Sequence, residues 1–556
     1  MMVATGPRRP TKDFVMSSER ANRVFLILLA LFSGACVMTV EMAGQRSLTP
    51  HFGSSTYVWT NVIGVILAAL SVGYMVGGRL ADRKPEALVL FSVVTAAGVV
   101  SLLIPFVVHP LGNAMIPEGV RQASAFRIVY LGSFLITLLL FAPPVFLLGM
   151  VSPFIVRLLT RDKEEVGRSS GVVYACSTVG SILGTFLPTL VLIPWIGTSR
   201  TMLLAAGVLC IFGGAGFLVR LAGRKRSAAA LLFVPLAAGP VTPLPSPRGG
   251  EETLAETESR FQYVRVYTRE EARVLSLNEG LQTYHSLMVP GRALTGGTHF
   301  DFFNLLPLYF DPGRGERLRV FIGGLAAGIM SRQIHHFFGR AFRLEVDGAE
   351  IDEAVLEMGR RYFELDGPAN RNLEARAADA RVFLARTRGP YDLVILDAYA
   401  NQMYIPFQLT TREFFELARS RLAPGGVLGI NAADFGPDAT LLSAVRNTLA
   451  EVFGRVEQVE IPAGMNYLLI ARRGEPVPAD VLKRRMDRAA FLSRPEARIL
   501  KPLLVHAAEA REIHYPVPGG IVLTDDRAPV EALMDASFRQ AREEMIASLG
   551  EAESGD

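Results

Sequence analysis

Leu318-Arg-Val-Phe-Ile-Gly-Gly-Leu-Ala-Ala-Gly328 is a strand-like apolar run that breaks into small residues, and a helical pattern reaching Phe338 follows it directly. Strand, glycine-rich turn and helix in that order are the first unit of a doubly wound sheet. Small residues in the turn let the main chain approach a ligand, and amides at the next helix N-terminus can hold it. Such a turn also serves simply to pack a helix on a strand, so its neighbours must decide. They repeat the order: Phe342–Val346 before a helix at Glu350–Phe363, Leu393–Leu396 before one at Thr411–Arg421, then Gly426–Asn431. This alternation predicts a mostly parallel sheet with its ligand beyond the C-terminal strand ends.

Acidic residues fall at the expected strand ends. Glu345 closes the second strand as read, about 21 residues after Gly324, the spacing at which an acid accepts hydrogen bonds from ribose hydroxyls. Asp379, in Ala377-Ala-Asp-Ala-Arg381, and Asp397, closing Tyr391-Asp-Leu-Val-Ile-Leu-Asp397, extend the row. Each alone reads as a solvated loop acid, but in register with the turn Gly323, Gly324 and Gly328 they point to a nucleoside site.

Upstream, alternation in Phe261–Tyr267 and Arg273–Leu277 predicts a small antiparallel hairpin, and Pro247–Glu258 reads as a polar linker. Before the linker the chain changes character. Of its 556 residues 50% are hydrophobic and 20% charged, and the mean hydropathy of +0.30 is too apolar for a wholly water-soluble chain. The excess is concentrated near 24–45, 57–78, 87–108, 128–150, 171–196 and 201–219, each long enough to cross a bilayer. Basic residues Arg8, Arg9, Lys12, Arg20 and Arg23 precede the first stretch, and others follow the second, fourth and sixth, which predicts a cytoplasmic N-terminus. A seventh apolar stretch, Ser227–Pro245, holds several prolines, and whether it spans decides the side of everything after it.

The predicted organisation is a tail at 1–23, six to seven membrane helices at 24–245, a linker at 246–259, a small β-hairpin domain at 260–310, a Rossmann-like domain at 311–535, and a C-terminal helix with acidic tail at 536–556. A net charge of +4 gives no electrostatic case for nucleic acid. Cys36, Cys176 and Cys210 all lie in apolar stretches, which argues against a disulfide framework or a cysteine-ligated metal. Glu41 is an ionisable group inside the first span and so a functional candidate, although it reads as close enough to the helix end to reach the interface. Gly73-x-x-x-Gly77 and Gly180-x-x-x-Gly184 have the spacing that packs helices, and Pro143-Pro144 predicts a kink. With six or seven spans and no internal repeat, a twelve-span transporter would need a homodimer.

Taken together, Leu275-Ser-Leu-Asn-Glu-Gly-Leu-Gln282, Ile322-Gly-Gly-Leu-Ala-Ala-Gly328, Leu344-Glu-Val-Asp347, Asp397-Ala-Tyr399, Ile405-Pro-Phe-Gln-Leu-Thr-Thr411 and Leu523-Thr-Asp-Asp-Arg-Ala-Pro-Val530 resemble the spermidine synthase family of polyamine aminopropyltransferases. The apolar half resembles that family's membrane-fused branch. The resemblance implies a small β domain before a methyltransferase-type Rossmann domain, and a cosubstrate that is S-adenosylmethionine or its decarboxylated form, with no metal. Carried over by position, Gln282 and Glu345 would hold the sugar, Asp379 the adenine, the turn 323–328 the cosubstrate, and Asp397 would be the base. An ammonium acceptor must lose a proton before its nitrogen can attack the carbon beside the sulfonium, which is work for a carboxylate.

Two departures weaken the amine site. Typical spermidine synthases carry an acid inside the turn, where this chain has Ala326, and another three residues beyond the base, where it has Ala400. Each loss removes a charge-assisted hydrogen bond to an amino group. Tyr399 and Asp301 are the remaining candidates for substrate contact, Asp301 as a stand-in for a channel tyrosine. Three functions follow: membrane-anchored aminopropyl transfer to a small amine or polyamine, methyl transfer from S-adenosylmethionine, or a transporter or sensor that binds a nucleoside without turnover. The expected setting is the inner cell membrane with the catalytic domain in the cytoplasm.

Overall fold

A computed structural model of the chain describes residues 12–53, 55–115, 130–160, 163–220, 253–278, 284–311, 316–387, 389–399, 405–462 and 465–554. It divides into two compact units, one before and one after Gly249–Gly250. Ser227–Pro245 lies outside the described residues.

The first unit contains six helices long and apolar enough to cross a bilayer: α1 (Lys12–Phe52), α2 (Thr56–Arg83), α3 (Ala87–Met115), α4 (130–159), α5 (166–192) and α6 (Thr198–Arg220). Leu103, Leu139, Phe186 and Leu190 are exposed on their outer faces, as side chains meeting lipid would be. The small-residue spacings hold the helices together. A Cβ on Gly180 would lie 1.8 Å from the carbonyl oxygen of Leu31, and one on Gly184 2.1 Å from that of Ala35, so α5 and α1 are in main-chain contact. Gly73 and Gly77 meet Phe146 and Met150 of α4 in the same way. One turn of π-helix, Thr137–Phe141, immediately precedes Pro143-Pro144, which supply no N–H to the helical ladder. Glu41 is buried at 8% exposure. Because α1 continues to Phe52, it stands about three turns from the helix end rather than one.

The second unit opens with a four-stranded antiparallel sheet, β1 (Thr253–Glu258), β2 (Tyr263–Arg269), β3 (Ala272–Leu277) and β4 (Ser286–Met288). Thr253–Glu258 is therefore strand rather than linker. Its polar side chains conceal an edge strand whose ladder with β2 is made by the main chain.

The larger sheet is built from β5 (Arg317–Gly323), β6 (Arg343–Glu350), β7 (Leu373–Ala377), β8 (Tyr391–Leu396), β9 (Leu422–Ala433), β10 (Val456–Ile461), β11 (Asn466–Arg472) and β12 (Glu512–His514), in the order β12-β10-β11-β9-β8-β5-β6-β7. Strands β5 to β9 are parallel, while β10, β11 and β12 pair antiparallel. The chain order reverses between β5 and β8, which opens a crevice at their C-terminal ends. This is a methyltransferase-type Rossmann arrangement.

Alternation divides the sheet's side chains between two cores. Leu318, Val320, Ile322, Leu393 and Ile395 face one, against the helix α7 (Ile329–Phe338). Phe321, Val394 and Leu396 face the other, against α8 (Ala380–Arg386), α9 (Arg412–Arg421) and α10 (Thr440–Phe453). The C-terminal helix starts at Val530, before the expected boundary at 536.

Candidate active site

Register places the site. Gly323 pairs with Ala349 and with Leu396, and Glu350 pairs with Ala377, so the four strands β8, β5, β6 and β7 end side by side. Asp397, the glycine turn, Glu350 and Asp379 thus lie across four neighbouring strand ends, a span of roughly 14 Å at the normal strand spacing. That is the length scale of a nucleoside.

β6 runs four residues further than its apolar pattern suggested, and this moves the acid at its end. Glu345 is the third residue of the strand, partly exposed, and its Oε2 accepts from Arg317 at 2.8 and 2.7 Å. It lies roughly 16 Å from the strand's C-terminal end. The residue at that end is Glu350, which the sequence reading missed. A signal was available in Ala349-Glu-Ile-Asp352, because Asp352 caps the following helix (Glu353–Tyr362), accepting from Ala354 N at 3.0 Å, so the strand must end just before it. Glu350 is buried. Burial pushes its carboxyl up to about 7, although the main-chain N–H groups of Ala326 and Asp352 donate to it and oppose the shift.

The turn makes close contacts that require its glycines. Gly324 has φ +80°, and a Cβ there would stand 2.4 Å from the carbonyl oxygen of Asp397. Asp397 N in turn donates to Gly323 O at 3.0 Å. The turn's own amides are occupied: Gly324 and Leu325 donate to Ala349 O, Ala326 to Glu350, Ala327 to Ser286 Oγ, and Gly328 to Leu325 O. The turn therefore offers close approach rather than the row of free donors its composition suggested. Ala326 adopts a positive φ of 47°, uncommon for a residue with a Cβ.

Asp379 is the N-cap of α8, its Oδ1 accepting from Val382 N at 2.8 Å, and remains partly exposed. Asp397 follows β8, with its side chain 9% exposed. Its Oδ1 accepts from Asn431 Nδ2 at 2.8 Å, and His299 Nε2 lies 3.3 Å from its Oδ2. Burial alone would raise its carboxyl, but His299, Asn431 and His285 outweigh burial and hold it below the usual carboxylate range. His285 is driven down to about 4, by burial first and by His299 against the pull of Asp397. Neither histidine was singled out from the sequence, since nothing local ties either one to Asp397.

Two expected substrate contacts are structural instead. Asp301 is fully buried, and its carboxylate accepts from Thr295 N and Oγ1, Gly297 N and Gln333 Nε2. With its capacity filled it organises the Thr295–Thr298 loop and the start of the helical turn carrying His299. The Tyr399 hydroxyl donates to Asn431 O at 3.0 Å and accepts from Ala433 N at 2.8 Å, pinning the strand end that presents Asn431. Gln282 and Ala400 lie outside the described residues. Among the described residues no group of three or more His, Cys, Asp or Glu side chains is placed to hold a metal ion.

No protein-family profile matches the chain. It is 25% identical over 532 residues to polyamine aminopropyltransferase 1 of Streptomyces coelicolor, covering 91% of this chain and 93% of that one. It is also 28% identical over 314 residues to a probable polyamine aminopropyl transferase of Bifidobacterium longum, covering 55% of this chain and 67% of the relative. Among solved structures, a probable spermidine synthase from Corynebacterium glutamicum matches at 20% identity with a TM-score of 0.36, over 43% of this chain and 88% of that one. Spermidine synthase from Thermotoga maritima matches at 17% and 0.33, over 46% and 87%. Along nearly its whole length, the stretch with the six apolar helices included, this chain is similar to a curated polyamine aminopropyltransferase.

Proposed function

We propose that the protein is a membrane-anchored aminopropyltransferase, moving an aminopropyl group from decarboxylated S-adenosylmethionine to a small amine or polyamine. The observation that carries this reading is Asp397, whose side chain is 9% exposed at the crevice of the sheet, held by Asn431 and His299 and in main-chain contact with the glycine turn. In this reading Glu350 takes the ribose hydroxyls in place of Glu345, Asp379 faces the adenine, and Asp397 supplies the negative charge that supports the acceptor's loss of a proton. Gln282 stays a candidate for the sugar by resemblance. Holding donor and acceptor in line would contribute much of the acceleration, since alkyl transfer needs orientation above all.

Ala326 favours one competing reading. An acid at that position would select a donor carrying only an amino group, and a methyl chain in its place leaves undecarboxylated S-adenosylmethionine acceptable, as a methyltransferase requires. Incubating the purified protein with each donor and a panel of amines separates the two. Methylthioadenosine is expected, S-adenosylhomocysteine would establish methyl transfer, and neither product would favour a ligand-binding role.

The basic residues flanking the first, second, fourth and sixth helices support an inner-membrane protein with its N-terminus in the cytoplasm. The donor's chemistry places the second unit there too. A reporter fused after Asp556 should be active in the cytoplasm, and activity only outside it would overturn this orientation.

A further inference from the structure

Three ring side chains on the segment leading into β5 gather at Asp397. His299 meets the carboxylate directly, Tyr284 lies parallel to the His299 ring with an interplanar angle of 8° and centroids 6.4 Å apart, and His285 is buried close by. Asn431 holds the other carboxylate oxygen. We propose that His299 is the proton acceptor of the transfer reaction, with Asp397 orienting its ring and stabilising the imidazolium that forms. This rests on the amine-transfer reading above.

Asn431 and His299 each take one position on the two oxygens of Asp397, so the carboxylate is held from both sides and the His299 ring is oriented by it. With Nε2–H directed at Oδ2, the other nitrogen of His299, Nδ1, keeps its lone pair available. A carboxylate held below its usual range is also a weak base for an ammonium, whereas imidazole is the side chain most often used to take such a proton. His285 is not the base. Its Nδ1 accepts from Leu277 N at 3.3 Å, and it stays neutral down to about pH 4. The charged and titratable groups around His299 are then Asp397, His285, Tyr284 and, behind its own loop, Asp301, whose carboxylate is fully engaged.

The step balances. An N–H bond of the acceptor ammonium breaks and its proton passes to Nδ1. The freed nitrogen pair forms the N–C bond to the carbon beside the sulfonium of the adenosyl donor. The C–S bonding pair goes to sulfur, leaving a neutral thioether, and the imidazolium rests against the Asp397 carboxylate until solvent takes its proton.

The test uses the full chain with decarboxylated S-adenosylmethionine and the amine that the unmutated protein accepts. His299→Gln should leave adenosyl-nucleoside binding within about twofold and lower turnover on the order of 10²–10³-fold. In His299→Ala, added imidazole should restore turnover at least about tenfold, which a purely structural residue would not allow. Turnover within about tenfold of the unmutated protein, or no rescue of His299→Ala by imidazole, overturns the role of His299 alone. Absence of turnover in the unmutated protein overturns the amine-transfer reading and this proposal with it. If neither variant retained nucleoside binding, His299 would be a folding residue and the proposal would fail.

Discussion

The main-chain N–H of Ala326 donates to Glu350 Oε2 at 3.0 Å, joining the glycine turn after β5 to the acid that ends β6. A carboxyl that burial raises to about 7 is thus part of the turn's architecture. Its folded pKa lies above its unfolded value of 4.5, so the stability it contributes is fully present below about pH 4.5 and is lost as pH rises through about 7. Glu350→Gln should therefore raise the thermal midpoint of the second unit at pH 8 and change it little at pH 4.5. The same change should weaken adenosyl-nucleoside binding about tenfold, since an amide accepts weaker hydrogen bonds from ribose hydroxyls than a carboxylate. Unfolding scans at the two pH values and a binding titration check both halves.

Glu345→Gln serves as the contrast. Its carboxylate pairs with Arg317 in a partly exposed position toward the other end of the strand, so the change should cost at most about 1 kcal/mol and leave nucleoside affinity unchanged. A tenfold loss of affinity would return the ribose role to Glu345.

Asp397→Asn keeps the shape of the side chain and its contact with Asn431 while removing the charge that faces His299. Nucleoside binding should survive while turnover falls on the order of 10²–10⁴-fold, measured as release of methylthioadenosine. A drop of less than about tenfold would mean that positioning alone drives the reaction.

Arg511, Glu457 and Tyr309 form a buried group that ties the segment before β12 to β10 and to the helical turn ending at Tyr309. Arg511→Met should destabilise the second unit by about 3–5 kcal/mol, because it leaves the Glu457 charge buried without its cation. Chemical denaturation of the full chain should show this as a lower midpoint for the second unit, with the helices of the first unaffected.

In the first unit, Gly180→Val places a branched side chain where even a Cβ would lie 1.8 Å from the Leu31 carbonyl oxygen. Helices α1 and α5 would have to separate, so the thermal midpoint in detergent should fall by several degrees. Gly171, with open space around it, is the matched control for which valine should be far milder.

Local periodicity was enough to read much of this architecture. The six apolar helices announce themselves because a bilayer demands long uncharged runs, and β5 with its turn because apolar residues ending in glycines leave few alternatives. The polar edge strands β1, β7 and β12 carry little such signal, since main-chain pairing supports them with few buried side chains of their own. The identity of the acid on β6 depended on where that strand stops. Its ladder with β5 and β7 carries it past Gly348 to Glu350, which the side-chain pattern does not display. Asp301 and Tyr399 have the chemistry of ligand-binding groups, and only the folded chain shows the internal partners that both of them hold. The meeting of His299 with Asp397 is likewise a tertiary fact. Sequence placed Asp397 at a strand end from its own neighbours, but an imidazole from a distant loop reaches it only once the small sheet and the Rossmann sheet share a core.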